Sequence, residues 1–240
     1  MDVTETPQAA LTTANRILVH EGVLDAFGHV SIRHPSKPDR FLLARSLAPE
    51  LVTEADILEF DLAAQPVVRT DSALYSERVI HSVLYRMRPD VHAICHHHSP
   101  AVMPFCLTDI KLGVVTQLGA VLGTQVPVWD QRDEFGPTNH LVTQDAQAES
   151  LARCLGAGSI VLMKRHGATV VGKDLREVVF RSVYGCRDAL LQATARLHGP
   201  VDTFSDDEIA LAGCFPEPTL ARAWHYWKAR LPRAEAMASR

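Results

Sequence analysis

The sequence predicts one layered α/β domain. Segments with helical and with strand periodicity interleave along all 240 residues, and no repeat, linker or shift of composition divides them. With 47% hydrophobic and 22% charged residues, the chain can bury one sizeable core.

The elements follow in order. Leu11, Ala14, Ile17 and Leu18 recur at helical spacing, which predicts an amphipathic helix over about residues 7–25. "GHVSIRH" and "RFLLA" read as short strands separated by the turn-forming "PSKPD". "ILEFDL" alternates as a third strand. Ser76 is the expected N-cap of a helix that runs to Arg88, buries Val79, Ile80, Val83 and Leu84, and stops before Pro89. "VHAICHHH" is a strand, and "SPAVMPFCL" opens a short helix. "VPVWD" and "SIVLMKRHG" are strands on either side of a helix near 145–156, and "ATVVG" follows. Long helical patterns cover about 174–198 and 217–231.

Charge and composition exclude several classes. The net charge is −4 with no Lys/Arg block, so nucleic acid is not an expected partner. No apolar run reaches the roughly 18 residues of a membrane span. The polar, acidic N-terminus lacks the basic and apolar regions of a signal peptide, so a cytoplasmic location is expected. Cys95, Cys106, Cys154, Cys186 and Cys214 are odd in number and scattered, which suits reduced thiols.

"ICHHHSP" sets three histidines in a row within an apolar stretch. Side chains alternate along a strand, so His96 and His98 share a face while His97 points the other way as a structural residue. Two imidazoles on one face suit a divalent ion. His166 ends an apolar strand beside Gly167, where backbone or ligand can come close, and is the candidate third ligand. A strand H-x-H taken alone is more often a surface or core pair than a ligand pair.

"SERVIHSVLYRMRPDVHAICHHHSPAV" followed by "VLMKRHGATVVG" resembles the class II aldolase/adducin family. That family carries an acid, an R-P-D turn, H-x-H, and later H-G after an apolar strand. Here Glu77 lies 19 residues before His96, the family's spacing, and "GHVSIR" resembles its G-N-V-S-x-R. The resemblance spans about residues 8–230. It implies a single domain over 1–240: a three-layer α/β/α fold around a mixed, largely antiparallel sheet. It also implies a homotetramer with active sites at subunit interfaces. Its metal would be Zn²⁺ or Mn²⁺, with Co²⁺ as an alternative, held by His96, His98, His166 and Glu77. Glu77 takes the family's catalytic position; read alone, it is a first-turn glutamate favoured by the helix dipole.

The departures from the sugar-phosphate members bear on chemistry. Those members bind phosphate through the Asn of G-N-V-S and a Ser-Ser pair before the acid. This chain has His29 and Tyr75-Ser76 instead, which disfavours a phosphorylated sugar. Arg45 and Ser46 lie where the family's phosphate loop runs, and an arginine fork suits a carboxylate. His29 is placed as a proton or hydrogen-bond donor. Ser76 is kept as a substrate contact. Tyr226, on a C-terminal helix with Trp224 and Trp227, is placed where a neighbouring subunit's site would receive it, although such a cluster also serves simple interface packing.

"RSLAPELVTEADILEFDL" and "ARAWHYWKARL" add a resemblance to the family's decarboxylase branch, which acts on hydroxy-aromatic or hydroxy-pyridine dicarboxylates such as 3,4-dihydroxyphthalate. The expected function is therefore metal-dependent, non-oxidative decarboxylation of such a small-molecule carboxylate. The alternatives are a class II aldolase or epimerase acting on a sugar phosphate or hydroxy-keto acid, an Fe(II) oxygenase, and an adducin-type scaffold without a metal. In "DQRDEFGPTNH", Arg132 and His140 are further candidates for lining the site.

Overall fold

A computed structural model describes residues 5–232 of the protein. Its framework is a seven-stranded sheet, and the chain order is simple. Helix α1 (Pro7–His20) leads into β1 (His29–Arg33), β2 (Arg40–Ala44) and β3 (Ile57–Asp61). Helix α2 (Arg78–Met87) precedes β4 (Ala93–His97). Then come α3 (Met103–Leu107), β5 (Val128–Trp129), α4 (Arg132–Phe135), α5 (Asp145–Leu155), β6 (Ile160–Met163), β7 (Gly167–Gly172), α6 (Leu175–Ala195), α7 (Asp206–Ala212) and α8 (Glu217–Arg230).

The strand order is β3-β2-β1-β4-β7-β6-β5. Every neighbouring pair is antiparallel except β5 with β6, so the sheet is mixed and largely antiparallel, as expected. The period of two along each strand sends alternate residues to opposite faces. One set, including Val30, Ile32, Cys95 and Val170, packs with residues of α1, α6 and α8. The other, including Phe41, Ile94, Val161 and Val171, packs with residues of α2 and α5. These two buried cores make the three layers. No helix among the described residues is long and apolar enough to cross a membrane.

Several boundaries differ from the sequence reading, each for a local reason. The first helix stops at His20, because Gly22 turns the chain at φ +73°. Residue Glu77, not Ser76, takes the N-cap position of α2. The Glu77 side chain makes no capping bond; it accepts from the Val142 N–H instead (2.9 Å). The strand in "SIVLMKRHG" ends at Met163, and Lys164–His166 form the turn into β7, with Arg165 at φ +61°. The strand expected in "VPVWD" shrinks to two residues at the sheet's edge. Helix α7 lies in a stretch assigned no element; Ser205 caps it through a reciprocal bond with Glu208.

Candidate metal centre

The site grows from one row across the sheet. Residue His96 on β4 stands between its register partners His29 on β1 and Thr169 on β7. All three sit at positions in phase with the face that α2 covers, and cross-strand neighbours on one face lie close together. Two glycines let the neighbouring backbone approach. A Cβ on Gly28, at φ +87°, would stand 2.8 Å from the His96 carbonyl oxygen. A Cβ on Gly167 would stand 2.2 Å from that of His97. The strand ends around His96 and His98 can close up only with glycine at these places.

Glu77, His96, His98 and His166 converge, with one ligand atom from each lying within 4.8 Å of all the others. The His96 and His98 Nε2 atoms are 3.0 Å apart. Glu77 Oε2 lies 3.6 Å from His96 Nε2 and 3.6 Å from His166 Nε2. Ligand atoms at about 2.1 Å around a tetrahedral ion lie about 3.4 Å apart, so these spacings straddle that value. The chemistry of the far ring atoms agrees. His96 Nδ1 meets Thr169 Oγ1 at 3.2 Å, and donation from Nδ1 leaves the Nε2 lone pair free for a metal. The four residues thus fit a divalent cation.

Electrostatics keep the ligands ready. Burial holds the His96 imidazole well below its ordinary value, and the neighbouring imidazoles reinforce this. His98 is lowered by burial and then by His166. Burial opposes ionisation of the Glu77 carboxyl, but the His166 hydrogen bond and charge, the Val142 N–H and His29 outweigh it and hold it below the usual carboxylate range. At neutral pH His96 and His98 are therefore neutral imidazoles and Glu77 is a carboxylate, the forms that bind metal.

A pocket of about 490 Å³ opens over this centre. Its lining includes His29, Ser46, Ser76, Glu77, His98 and His166, so these expected site residues are brought together. Tyr75 forms a wall: its ring lies 4.8 Å from that of His29 and its hydroxyl donates to the Leu47 carbonyl. Phe27 and Leu141 add apolar surface that the sequence reading did not single out. Arg45 is not in the lining; its Nε donates to Asp56 Oδ1 at 2.7 Å. Tyr226 is exposed on α8, a helix that packs on the opposite face, and meets Arg230. Arg132 pairs with Asp130, and neither Arg132 nor His140 lines the pocket. The loop contributes backbone instead, through the Val142 N–H on Glu77. His97 is fully buried on the other side, where Nδ1 accepts from the Ser99 N–H, in keeping with a structural place.

His81 was missed. It is fully buried on α2, with its Nε2 2.7 Å from His29 Nδ1 and its Nδ1 2.6 Å from Ser31 Oγ. A histidine within an apolar helix face carries no strand-spacing signal; only its apposition to β1 reveals it.

The family profile described as the Class II Aldolase and Adducin N-terminal domain matches residues 9–192, a span that contains all four clustered residues. The chain belongs to the class II aldolase/adducin family. Among its relatives is the Decarboxylase tropJ of Talaromyces stipitatus, 31% identical over 92% of each chain. The 3,4-dihydroxyphthalate decarboxylase of Arthrobacter keyseri is 29% identical over 94% of each. Among solved structures, the L-fuculose 1-phosphate aldolase of Glaciozyma antarctica superposes with a TM-score of 0.78 at 19% identity, covering 96% of this chain and 90% of that one, and shows the shared fold. Membership of the class II aldolase/adducin family, together with these relatives, supports a decarboxylase or aldolase-type lyase function that uses a small-molecule substrate.

Proposed function

We propose that this protein is a metal-dependent, non-oxidative decarboxylase of a hydroxy-aromatic or hydroxy-pyridine dicarboxylate such as 3,4-dihydroxyphthalate. The observation that carries this reading is the pairing of an intact Glu77–His96–His98–His166 cluster with a pocket whose wall is His29 and Tyr75. The relatives named decarboxylases support it. Zn²⁺, Mn²⁺ or Co²⁺ in the cluster would act as a Lewis acid toward negative charge developing on substrate oxygen.

The chain's own groups supply the rest. Tyr75, Phe27 and Leu141 form a partly apolar slot suited to a flat ring. The Ser46 and Ser76 hydroxyls are available to a second carboxylate; Arg45 would first have to leave Asp56. Glu77, steadied by Val142, takes the proton of the ring hydroxyl. As the carbon–carbon bond breaks, CO₂ departs and its bonding pair stays with the ring. Glu77 then hands the proton it took to that ring carbon, while His29, at the pocket edge, donates a hydrogen bond from Nε2 to the substrate. The reading includes a cytoplasmic homotetramer of one-domain subunits, in which Tyr226 of one subunit approaches its neighbour's pocket. The exposed Leu190, Leu191 and Leu197 offer apolar surface for such an assembly.

The test is CO₂ release from 3,4-dihydroxyphthalate by protein stripped and then reloaded with each metal. Release is expected to require metal and to fall by at least about 10²-fold in His96→Ala. An aldehyde product from a hydroxy-keto acid, without CO₂ release from any hydroxy-aromatic acid, would overturn this reading in favour of an aldolase.

A further inference from the structure

Four side chains outside the ligand set form a continuous buried line. From the pocket inward they are His29 Nδ1 to His81 Nε2 (2.7 Å), His81 Nδ1 to Ser31 Oγ (2.6 Å), and Ser31 Oγ to the Tyr85 hydroxyl (2.8 Å). All four residues are 0–4% exposed. The match comes from two periodicities. His29 and Ser31 are two residues apart on β1, about 6.6 Å along the strand. His81 and Tyr85 are four apart on α2, about 6 Å along the helix. The strand and helix pairs therefore meet rung against rung. Arg33, the next residue on that face of β1, lies over the Tyr85 ring at 4.8 Å and donates to the Tyr85 backbone carbonyl (2.7 Å), which closes the far end.

The direction of the line follows from satisfying its buried donors. Among the described residues the Tyr85 hydroxyl has a single hydrogen-bond partner, Ser31, so the phenol proton goes to Ser31 Oγ. The Ser31 hydroxyl then has one acceptor left, His81 Nδ1. His81 must carry its proton on Nε2 and donate it to His29 Nδ1. The opposite direction would leave the phenol proton buried without an acceptor. His29 Nε2 makes no hydrogen bond among the described residues and is not a buried orphan atom, so it meets the pocket.

We propose that Tyr85, Ser31 and His81 are positioning residues that lock His29 as the Nε2–H tautomer, so that the pocket always meets a hydrogen-bond donor at that atom. Each imidazole on the line has one nitrogen that must accept, His81 Nδ1 from Ser31 and His29 Nδ1 from His81, so the geometry leaves each ring a single proton, on Nε2. The inference rests on the reading above and deepens it by naming what stands behind its hydrogen-bond donor. The tautomer can be measured without turnover, so the two ideas fail separately.

The experiment is nitrogen-15 NMR of the histidine rings in the zinc-loaded full-length protein. The expected result is an unprotonated Nδ1 and a protonated Nε2 on both His29 and His81. A protonated Nδ1 on His29 overturns the proposal whatever the activity. In Ser31→Ala the line is cut, and His29 is expected to average between tautomers with zinc content unchanged. With 3,4-dihydroxyphthalate as the probe, kcat is expected to fall roughly 10²-fold with KM little changed, the low end of what one donor aimed at developing charge contributes. A Ser31→Ala protein that keeps both the tautomer and kcat also overturns the proposal. If that variant does not fold, the unmodified protein's spectrum decides alone.

Discussion

At the scale of single residues, the centre depends on ring orientation as much as on ligand identity. Thr169 is fully buried, and its hydroxyl meets both His96 Nδ1 and the Met163 sulfur. Replacing it with valine keeps the shape but removes the group that holds the His96 tautomer. Thr169→Val is expected to weaken Zn²⁺ binding by roughly 10- to 100-fold, measured by competition with a chromophoric chelator. An unchanged affinity would show that β4 alone orients the ring. Glu77 illustrates a residue whose two oxygens divide their tasks. One accepts from Val142 and the other faces the imidazoles. That arrangement explains why a residue at a helix N-cap leaves the capping bond unmade.

At the scale of elements, the close approach of β7 to β4 sets the spacing of the ligands. Gly167 opens β7 directly after His166, where its missing side chain faces the His97 carbonyl and the His98 ring. A methyl group there meets backbone, which cannot swing aside as a flexible side chain can. Gly167→Ala is therefore expected to cost about 1–3 kcal/mol of stability by urea unfolding, together with loss of metal from the centre. A variant with both stability and metal content intact would separate the turn from the site. The short β5 shows the converse. Its two residues pair in parallel with β6, and Trp129 donates to Ser150 on α5. An edge strand can be this short because a helix covers it.

At the scale of the whole molecule, several imidazoles are buried beneath the sheet's two cores in neutral form. His29 is lowered to about 4 and His97 to about 3, chiefly by burial, and His81 and His96 lie well below their ordinary value for the same first reason. The sign follows from linkage. The unfolded chain protonates these groups near 6.5, whereas the folded chain does so only at lower pH. Their contribution to stability is complete above about 6.5 and is lost as pH falls toward the folded values. Each such group is expected to remove about 1.4 kcal/mol per pH unit across that window in the metal-free protein. Chemical denaturation at a series of pH values checks this; a flat profile between pH 7 and 5 would sink it. Metal binding should shift the loss of stability to lower pH, because ligation competes with protonation.

Much of the fold and half of the site were legible in the residues themselves. Strand alternation placed His96 and His98 on one side and His97 on the other, because a period of two leaves no other choice once the run is a strand. The helical spacing of Leu11, Ala14, Ile17 and Leu18 marked the buried face of α1 in the same way. The family pattern, from "GHVSIR" through H-x-H to "RHG", pointed to the layered fold and to the residues that now cluster. What stayed hidden depends on contacts between distant segments. The chain alone does not show that Asp56 occupies the Arg45 guanidinium, that Val142 steadies Glu77, or that His81 stands behind His29. Local pattern determined which residues form strands, helices and ligands, because backbone periodicity is a property of neighbours. Tertiary structure alone decided which polar groups are already committed to partners and which still face the pocket, because hydrogen bonds saturate and a group spent on one partner is lost to another.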